Sequence, residues 1–440
     1  MCGYEHEGPE PPEVCPVCGV GPEEFSEVLA PVAAQDPAPA GEARPVVIVG
    51  GGVAGFSAAE AARSASALAE IHLVCGEGVL PYNRVALTRL LAGQVNAELL
   101  LLKDEAWYAA QRITLHRVQA VEIDRVARAV ILEGGLRLAY HKLVLATGAT
   151  SFVPPILGAE GPAVYTLRTL QDAQAILAAA SPGARGVVIG GGLLGLETAG
   201  GLAARGVRMT VVEGAPFLLS RQLTRGLAGL LERHIRDLGI EVLTDAKIQA
   251  IEREPLGVRL GGGRLLPADF VVISTGVRPD LALAQGLEQG RGLRVDDRMS
   301  TSDPSVLAAG DLVEHRGVVA GLWTVAQAQG AAAGRFAVDP AAPAFTPPPI
   351  ATRLKVLDLP VFSGGDFAAE AEGSMALTTA TGQTTARLVV SAGVLIGAVV
   401  IGDEALGGLA WRALQTGGPL AAQQPLLDAV PGLREWLATL

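Results

Sequence analysis

Two segments of the chain share one order of apolar and small residues. Residues 46–49 are a continuous apolar run, which is typical of a parallel strand buried on both faces. A glycine-rich turn follows at 50–55, and the alanine-rich stretch after it predicts a helix. The segment 186–204 repeats this order with the strand VVI, the turn GGGLLG and the helix LETAGGLAA. The duplication predicts an α/β protein with two three-layer units that each begin in this way.

The segments outside these units carry shorter patterns. After the prolines at 347–349, the runs LKVLDLPVF and ARLVVSAGVLIGAVVIG predict short strands mixed with helical stretches. We therefore expect a small α+β domain over 347–440. Residues 29–44 are rich in Ala and Pro without periodicity, which predicts a semi-rigid linker. Residues 1–28 are rich in Cys, Gly and Pro and have little apolar material for a core of their own.

Length and charge narrow the class of protein. At roughly 150 residues per domain, 440 residues are enough for about three domains. The chain has 45 acidic and 34 basic residues, which gives a net charge of −11. Nucleic acids and anionic membranes both favour a basic protein surface, so we expect neither as a partner.

The N-terminus and the apolar runs lack the features of targeting and membrane segments. The N-terminal residues are acidic and polar, unlike a signal or transit peptide. The longest uncharged apolar run lies between Arg387 and Asp403 and is shorter than the roughly 20 residues that a bilayer requires. Ser391 and Gly393 divide this run into two predicted strands. These features predict a cytoplasmic protein without a membrane span.

Each glycine turn fits the dinucleotide fingerprint. In that pattern glycines let the backbone approach a pyrophosphate at a helix N-terminus, and a following acid accepts hydrogen bonds from ribose hydroxyls. The first set is Gly50, Gly52, Gly55 and Glu77, and the second set is Gly190, Gly192, Gly195 and Glu213. The alternative, two glycine turns without a ligand, fits the duplicated strand–turn–helix–strand–acid layout less well. Two such Rossmann-like units predict two dinucleotides, usually FAD and a nicotinamide nucleotide.

The second acid also predicts which nicotinamide nucleotide binds. The Glu213 carboxylate would repel a 2′-phosphate, which favours NADH over NADPH. Neighbouring arginine side chains can reverse this preference, so NADPH stays the less favoured alternative.

Further motifs give the chain a family resemblance. They are PYNRVALT at 81–88, LATGA at 145–149, TGVRPD at 275–280, TSDP at 301–304, AGD at 309–311 and the segment 323–330. With these motifs the chain resembles the pyridine-nucleotide-dependent flavoprotein reductases from Val46 to about Leu440. It is most similar to the branch of NADH:rubredoxin reductases and assimilatory nitrite reductase flavin domains. The resemblance implies an FAD domain divided between 45–155 and 277–346, with an NAD domain at 156–276.

The resemblance also implies roles for single residues. The first glycine set and Glu77 would hold the ADP half of FAD, and Arg84 would approach its pyrophosphate as a charged donor. Asp311, beside Gly310, would hydrogen-bond the ribityl or pyrophosphate region. The second glycine set and Glu213 would bind NADH. The other positions assigned to cofactor binding are Thr88, Ala120, Thr147, Gly148 and Gly276, with Thr147 and Gly148 placed where the chain leaves the FAD domain.

Two residues are expected to act at the reacting atoms. Glu197 matches a family carboxylate near the nicotinamide and flavin N5. Its usual family partner is a lysine, and the matching position here is Arg89, whose planar guanidinium differs from an ammonium group but can still pair with Glu197. The alternatives are a first-turn carboxylate favoured by the helix dipole and an ordinary surface arginine.

The lack of a second cysteine near Cys75 excludes one branch of this superfamily, the disulfide reductases. Cys75 has no second cysteine near it, and none lies in 81–90, where the disulfide reductases need a redox cysteine. We expect Cys75 to be a small buried apolar residue. The six histidines form no His-x-x-x-His pair, so they predict no second metal site.

The N-terminal segment resembles the rubredoxin-like domain of rubrerythrins. Cys2, Cys15 and Cys18, with Gly3-Tyr4 and Gly19, match that pattern, in which thiolates hold one iron tetrahedrally. The family pattern has a further cysteine that would lie two residues before Met1. We therefore expect a mis-assigned start codon, which an in-frame cysteine codon upstream would confirm. Zinc binding and a metal-free relic are the alternatives.

These expectations combine into one function with two alternatives. Hydride passes from NADH to FAD, and single electrons then pass to a rubredoxin-type iron centre, either the N-terminal one or that of a rubredoxin, rubrerythrin or ferredoxin partner. The first alternative is a reductase that feeds a separate ferredoxin or nitrite-reducing partner. The second is a non-catalytic flavoprotein or a zinc-ribbon interaction protein. A monomer or a homodimer is expected.

Overall fold

The computed structural model describes residues 10–12, 45–348, 351–368 and 374–437, with the backbone alone at 353–356. The cysteines assigned to a metal, Cys2, Cys15 and Cys18, lie outside these residues, as does the linker at 29–44. The described chain is a mixed α/β protein, which confirms the predicted class.

The elements follow the chain in four groups. The first group is β1 (Val46–Val49), α1 (Val53–Ala65), β2 (Ile71–Val74), α2 (Leu87–Leu91), α3 (Glu105–Ala110), β3 (Ile113–His116), β4 (Ala120–Asp124), β5 (Ala129–Leu132), β6 (Arg137–Ala139), β7 (Lys142–Leu145) and β8 (Ala149–Ser151). The second group is β9 (Val164–Thr166), α4 (Leu170–Ala179), β10 (Arg185–Ile189), α5 (Leu193–Ala203), β11 (Arg208–Val212), α6 (Arg225–Asp237), β12 (Glu241–Leu243), β13 (Ile248–Arg253), β14 (Leu256–Leu260), β15 (Leu265–Pro267), β16 (Phe270–Ile273) and β17 (Val277–Pro279).

The third group returns to the first sheet, and the fourth group is C-terminal. The third is β18 (Leu293–Val295), β19 (Val306–Ala308), β20 (Val313–His315) and α7 (Trp323–Val338). The fourth is β21 (Ala351–Val356), β22 (Leu359–Gly365), β23 (Ser374–Thr381), β24 (Thr384–Ser391), β25 (Val394–Ile401), α8 (Glu404–Thr416), α9 (Gln424–Ala429) and α10 (Leu433–Leu437).

The first sheet has the strand order β19-β7-β1-β2-β3, and its neighbouring strands are all parallel. Strand β19 lies far along the chain from β7, so this unit is assembled from two separate segments. Helices α1 and α7 cross closely on one face. A Cβ on Gly330 would lie 2.1 Å from the Ala54 carbonyl oxygen, and one on Gly334 would lie 2.0 Å from that of Ala58. Only glycine permits this helix contact.

The second sheet has the order β12-β11-β10-β16-β9 and is also parallel throughout. Strands β1 and β10, which the repeated apolar runs predict, are each the central strand of a five-stranded sheet. The chain leaves the first unit through β8 and returns to it through β17. These two strands pair antiparallel, with Thr150 opposite Arg278. The two units are therefore joined by a two-stranded ribbon.

The C-terminal sheet is antiparallel, with the order β21-β22-β25-β24-β23, and α8 packs on it. The run LKVLDLPVF forms two strands rather than one, since Leu357 and Asp358 make a two-residue turn with φ of 51° and 65°. Ala392 and Gly393, with φ of 48° and 75°, form the corresponding turn between β24 and β25. Positive φ at both central residues is the type I′ hairpin turn, whose twist matches that of the strands.

One apolar core joins the three parts of the chain. It contains Leu87 and Leu91 of α2, Leu196 of α5, and Val361 and Val399 of the C-terminal sheet. Helices α2 and α5 therefore lie where the first unit, the second unit and the C-terminal sheet meet. Among the described residues, no helix is both long and apolar enough to cross a bilayer.

Candidate functional site

A cavity of about 1040 Å³ extends from the glycine turn after β1 to the N-terminal end of α5. In a parallel sheet the carboxyl ends of the strands lie along one edge, and ligands bind in the crevice outside that edge. The residues that line the cavity include Gly50, Gly52, Glu77, Arg84, Ala120, Thr147, Gly148, Arg168, Leu194, Glu197, Gly310, Asp311 and Trp323. The cavity therefore contains residues from both nucleotide-binding units.

The first glycine turn has the geometry of a phosphate cradle. Gly50 has φ +130°, and a Cβ there would lie 2.0 Å from the Ala146 carbonyl oxygen. A Cβ on Gly55 would lie 1.8 Å from the Gly50 carbonyl oxygen, so the helix must pack against the turn without a side chain. A Cβ on Gly52 would meet no atom within 4 Å. Gly52 lines the cavity, and this open space at the N-terminus of α1 fits a pyrophosphate.

The carboxylate of Glu77 lies at the end of β2 and is held by two donors. The Tyr82 hydroxyl donates to Glu77 Oε2 over 2.6 Å, and the Arg84 guanidinium donates to Oε1 over 2.5 Å. Arg84 also donates to the backbone carbonyl of Arg168. Burial is the main cause that raises the pKa of Tyr82, so its hydroxyl stays protonated as a donor. Arg84 thus links the first unit to the start of the second.

Arg168 is a cavity residue that the sequence analysis did not single out. Its guanidinium lies 2.8 Å from Asp311 Oδ2, which joins the loop before α4 to the turn after β19. Thr169 and Asp172 form a capping box at the start of α4, and this pattern predicts a helix start but no ion pair. Gly310, with φ +90°, donates its N–H to Gln329 Oε1 over 3.0 Å, which holds the turn that carries Asp311.

The second glycine turn repeats the geometry of the first. Gly190 has φ +119°, and its Cβ would lie 2.2 Å from the Ser274 carbonyl oxygen, while a Cβ on Gly195 would lie 2.1 Å from the Gly190 carbonyl oxygen. Gly192 again has open space where a Cβ would be. Glu213, after β11, accepts hydrogen bonds from the N–H of Gly191 (2.5 Å) and of Ala215 (2.6 Å). The acid is thus fixed beside the turn.

Glu197 lies in the second turn of α5 and lines the cavity. The Thr88 hydroxyl, on α2, donates to Glu197 Oε2 over 2.9 Å. Burial raises the pKa of Glu197 to about 7, while the hydrogen bond from Thr88 acts in the opposite direction. A carboxyl group that titrates near neutral pH can hold or release a proton beside a bound ligand.

The expected pair between Glu197 and Arg89 stays a prediction. The side chains of Thr88 and Arg89, consecutive residues of α2, point about 100° apart. The Thr88 hydroxyl reaches Glu197, whereas Arg89 Nε lies 3.4 Å from Gln94 Oε1. Arg89 is not among the residues that line the cavity. The rotation of α2 therefore brings Thr88 to the carboxylate that the resemblance pairs with Arg89.

The remaining assigned positions lie in two places: Thr147, Gly148 and Gly276 where the chain passes between the units, and Ala120 at the start of β4. The Thr147 hydroxyl donates to the Asp280 carbonyl over 2.9 Å. Gly148 and Gly276 have φ +76° and +111°, backbone conformations that glycine adopts without strain. Ala120, the first residue of β4, lines the cavity beside Gln119.

Trp323 is a second cavity residue that the sequence motifs did not identify as such. It is the first residue of α7, and its indole N–H is buried without a protein hydrogen-bond partner. A buried donor of this kind is rare, and the first N–H groups of the helix likewise lack intrahelical partners. Trp323 therefore forms part of the cavity wall, while its indole nitrogen is shielded from solvent.

These features together fit FAD. The cavity has an open glycine turn at the N-terminus of α1, a carboxylate held at Glu77, and the ion pair between Arg168 and Asp311. When bound, FAD supplies acceptance of a hydride and release of single electrons.

Cys75 is buried with 1% exposure, and burial raises the pKa of its thiol to about 12, which confirms it as a core residue. Within the described parts of the chain, no group of three or more His, Cys, Asp or Glu side chains is arranged to hold a metal.

Two family descriptions match the chain. Residues 44–330 match the family described as pyridine nucleotide-disulphide oxidoreductase. Residues 1–26 match the rubrerythrin rubredoxin-like domain.

Individual relatives agree with these matches. Rubredoxin-NAD(+) reductase of Pseudomonas putida is 34% identical over 329 residues, which cover 71% of this chain and 85% of that protein. Nitrite reductase [NAD(P)H] of Bacillus subtilis is 32% identical over 378 residues, which cover 84% of this chain. The chain spans only 47% of that enzyme and 39% of the large subunit of Klebsiella oxytoca nitrite reductase.

A solved structure has the same fold. The crystal structure of NADH:rubredoxin oxidoreductase from Clostridium acetobutylicum superposes with a TM-score of 0.74 at 26% identity, over 88% of this chain and all of that one. The sequence match, the duplicated glycine turns and the shared cavity agree, and the chain belongs to the pyridine nucleotide-disulphide oxidoreductase family.

Proposed function

We propose that this chain is an NADH-dependent FAD oxidoreductase that passes electrons to a rubredoxin-type iron centre. The observation that carries the proposal is the single cavity whose lining runs from Gly52 to Glu197. A flavin held along the first unit would meet a nicotinamide held by the second unit at this far end. The relatives named for rubredoxin reduction support the same direction of electron flow.

The FAD domain would comprise 45–155 and 277–346. Gly50, Gly52, Gly55 and Glu77 would hold the ADP half of FAD, with Arg84 near the pyrophosphate. Asp311 would hydrogen-bond the ribityl or pyrophosphate region with Gly310 allowing close approach, and Arg168 would add a charge there, since it pairs with Asp311. Ala120 would border the cofactor at the start of β4, and Thr147, Gly148 and Gly276 would border it where the chain passes between the units.

The NAD domain would comprise 156–276. Gly190, Gly192, Gly195 and Glu213 would bind NADH, and the carboxylate of Glu213 would disfavour the 2′-phosphate of NADPH. Glu197 would face the reacting atoms with Thr88 as its hydrogen-bond partner in place of Arg89. Residues 347–440 would form a third domain that packs against both α2 and α5.

The electron acceptor would be the iron that Cys2, Cys15 and Cys18 help to bind, or that of a separate redox protein of rubredoxin, rubrerythrin or ferredoxin type. Thiolates suit iron and zinc alike, and iron is the metal that electron transfer requires. The linker at 29–44 would keep the iron domain at a high effective concentration near the flavin. We propose a cytoplasmic monomer or homodimer.

The test is a rapid-mixing experiment on the full chain loaded with FAD and iron. Mixing with NADH without oxygen should bleach the flavin absorbance, and the ferric thiolate absorbance should then decay at a rate that does not depend on protein concentration. Failure of NADH to bleach the flavin would reject the oxidoreductase. Flavin bleaching without reduction of the iron would reject the N-terminal acceptor alone.

A second candidate is a reductase component that feeds a separate nitrite-reducing partner. The similarity to a nitrite reductase over 84% of this chain favours it, and the chain spans only 47% of that enzyme. In that case the iron should stay oxidised on the time scale of turnover, and nitrite should be reduced only when a partner is added.

A further inference from the structure

The tip of the β21–β22 hairpin lies against the helix that carries Glu197. Leu357 is the first residue of the hairpin turn and has φ 51°, a conformation that disfavours side chains with a Cβ. Glycine or asparagine is the usual residue at such a position. A leucine there indicates that its side chain makes a contact that outweighs the backbone strain.

That contact is with Gly200 of α5. A Cβ on Gly200 would lie 1.4 Å from Leu357 Cδ2, so the leucine side chain occupies the space that any other residue at 200 would fill. Leu357 packs at the edge of the core that joins the three parts of the chain. The turn is also held from α6, where His234 Nε2 lies 2.9 Å from the Leu357 carbonyl oxygen.

Helix α5 contacts α2 through a neighbouring face. Glu197 and Gly201 are four residues apart and therefore lie on one face of the helix. Glu197 accepts the hydrogen bond from the Thr88 hydroxyl, and a Cβ on Gly201 would lie 3.0 Å from the Thr88 carbonyl oxygen. Gly200 is next to this face, so the Leu357 contact and the Thr88 contact together fix the rotation and sideways position of α5.

We propose that Leu357 is a positioning residue for the reaction: by filling the space above Gly200, the C-terminal hairpin holds α5 so that Glu197 stays beside Thr88 at the end of the cavity. This inference rests on the proposed function. It gives the C-terminal sheet a part in the nicotinamide step, although that sheet lines no part of the cavity.

The experiment uses Gly200→Ala, Leu357→Ala and the double variant of the FAD-loaded full chain. The methyl group of Gly200→Ala must displace Leu357, and Leu357→Ala leaves room for that methyl group in the double variant. Gly226→Ala is the matched control, because Gly226 is also helical and a Cβ there would meet no atom within 4 Å.

The readout separates positioning from binding. The rate of flavin reduction at saturating NADH should fall about tenfold in Gly200→Ala, since small misplacements of reacting groups have effects of at least this size. The Kd for NADH should change less than about twofold, because the glycine turn before α5 is anchored independently by Glu213. The double variant should recover most of the lost rate, and Gly226→Ala should match the wild type.

Equal rates in Gly200→Ala and Gly226→Ala would overturn the proposal, as would a double variant no faster than Gly200→Ala. A loss of NADH affinity with an unchanged rate would also overturn it. Wild-type protein that fails to reduce its flavin with NADH would instead reject the proposed function, so the two failures are distinguishable.

Discussion

The Thr88 hydroxyl donates a hydrogen bond to Glu197 Oε2 over 2.9 Å, and this bond connects α2 of the first unit with α5 of the second. It lies at the end of the cavity where both nucleotide units contribute residues. The bond therefore couples the relative position of the two units to the protonation of one carboxyl group.

Substitution of Thr88 by valine should raise the pKa of Glu197 above its value of about 7. The hydroxyl lowers this pKa by stabilising the carboxylate, while burial raises it, so removal of the hydroxyl leaves burial unopposed. The pH midpoint of flavin reduction by NADH should move upward. Thr378→Val, on the exposed side of β23, is the control and should leave the midpoint unchanged.

Glu197→Gln should change how stability depends on pH. The pKa of Glu197 is raised in the folded protein from an ordinary 4.5 to about 7, so the folded state binds the proton more tightly than the unfolded state. Relative to the glutamine variant, the wild type should lose stability as pH rises from about 4.5 through about 7, and it should lose no more above that. Urea unfolding at several pH values measures the difference.

For comparison, Glu122→Gln replaces an exposed glutamate of β4. Its difference in unfolding free energy from the wild type should be flat over the same pH range. A flat difference for Glu197→Gln as well would show that Glu197 is not the buried acid described above.

Gly52→Val and Gly192→Val should separate the two nucleotide sites. Both glycines precede a helix with extended backbone, φ −79° and −78°, and at both a Cβ has open space, so valine strains neither turn. The side chain at 52 would fill the phosphate cradle of the first unit and weaken FAD binding by about tenfold or more, or about 1.4 kcal/mol. The side chain at 192 should weaken NADH binding and leave FAD bound.

Each of these variants is the control for the other, because they make the same change at equivalent places. Cofactor retention on desalting reports FAD, and titration of the oxidised protein with NAD⁺ reports the second site. Loss of FAD from both variants, or from neither, would contradict the assignment of the turns.

Glu213→Gln should weaken discrimination against NADPH. The amide keeps the size of the side chain and one acceptor oxygen, so one of the two hydrogen bonds from Gly191 and Ala215 is lost, and it removes the charge that repels a 2′-phosphate. The ratio of kcat/KM for NADH to that for NADPH should fall on the order of tenfold. Glu241→Gln on the adjacent strand β12 is exposed and should leave the ratio unchanged.

Local sequence was sufficient for both glycine turns and their strands. Gly55 and Gly195 form their close contacts within one strand–turn–helix segment, with the carbonyl oxygens of Gly50 and Gly190. Such contacts depend on residue size and spacing along the chain, which can be read directly. Gly50 and Gly190 themselves also contact distant residues, Ala146 and Ser274, which only the folded sheets bring close. The division of the apolar run at Ser391 and Gly393 was likewise a local turn property, and the structure has the hairpin there. The role of the N-terminal cysteines stays a prediction, since those residues lie outside the described chain.

By contrast, the tertiary structure decides which side chains pair at the cavity. The resemblance places Arg89 of α2 near Glu197. The structure has Thr88 as the donor to Glu197, because the rotation of this short helix is set by a core that three parts of the chain share. Arg168 meets Asp311 across 143 residues, and Leu357 fills a space that exists only because residue 200 of another unit is glycine. The spacing of residues along the chain does not specify these contacts, because each forms between elements that are far apart in sequence and pack together only in the folded chain.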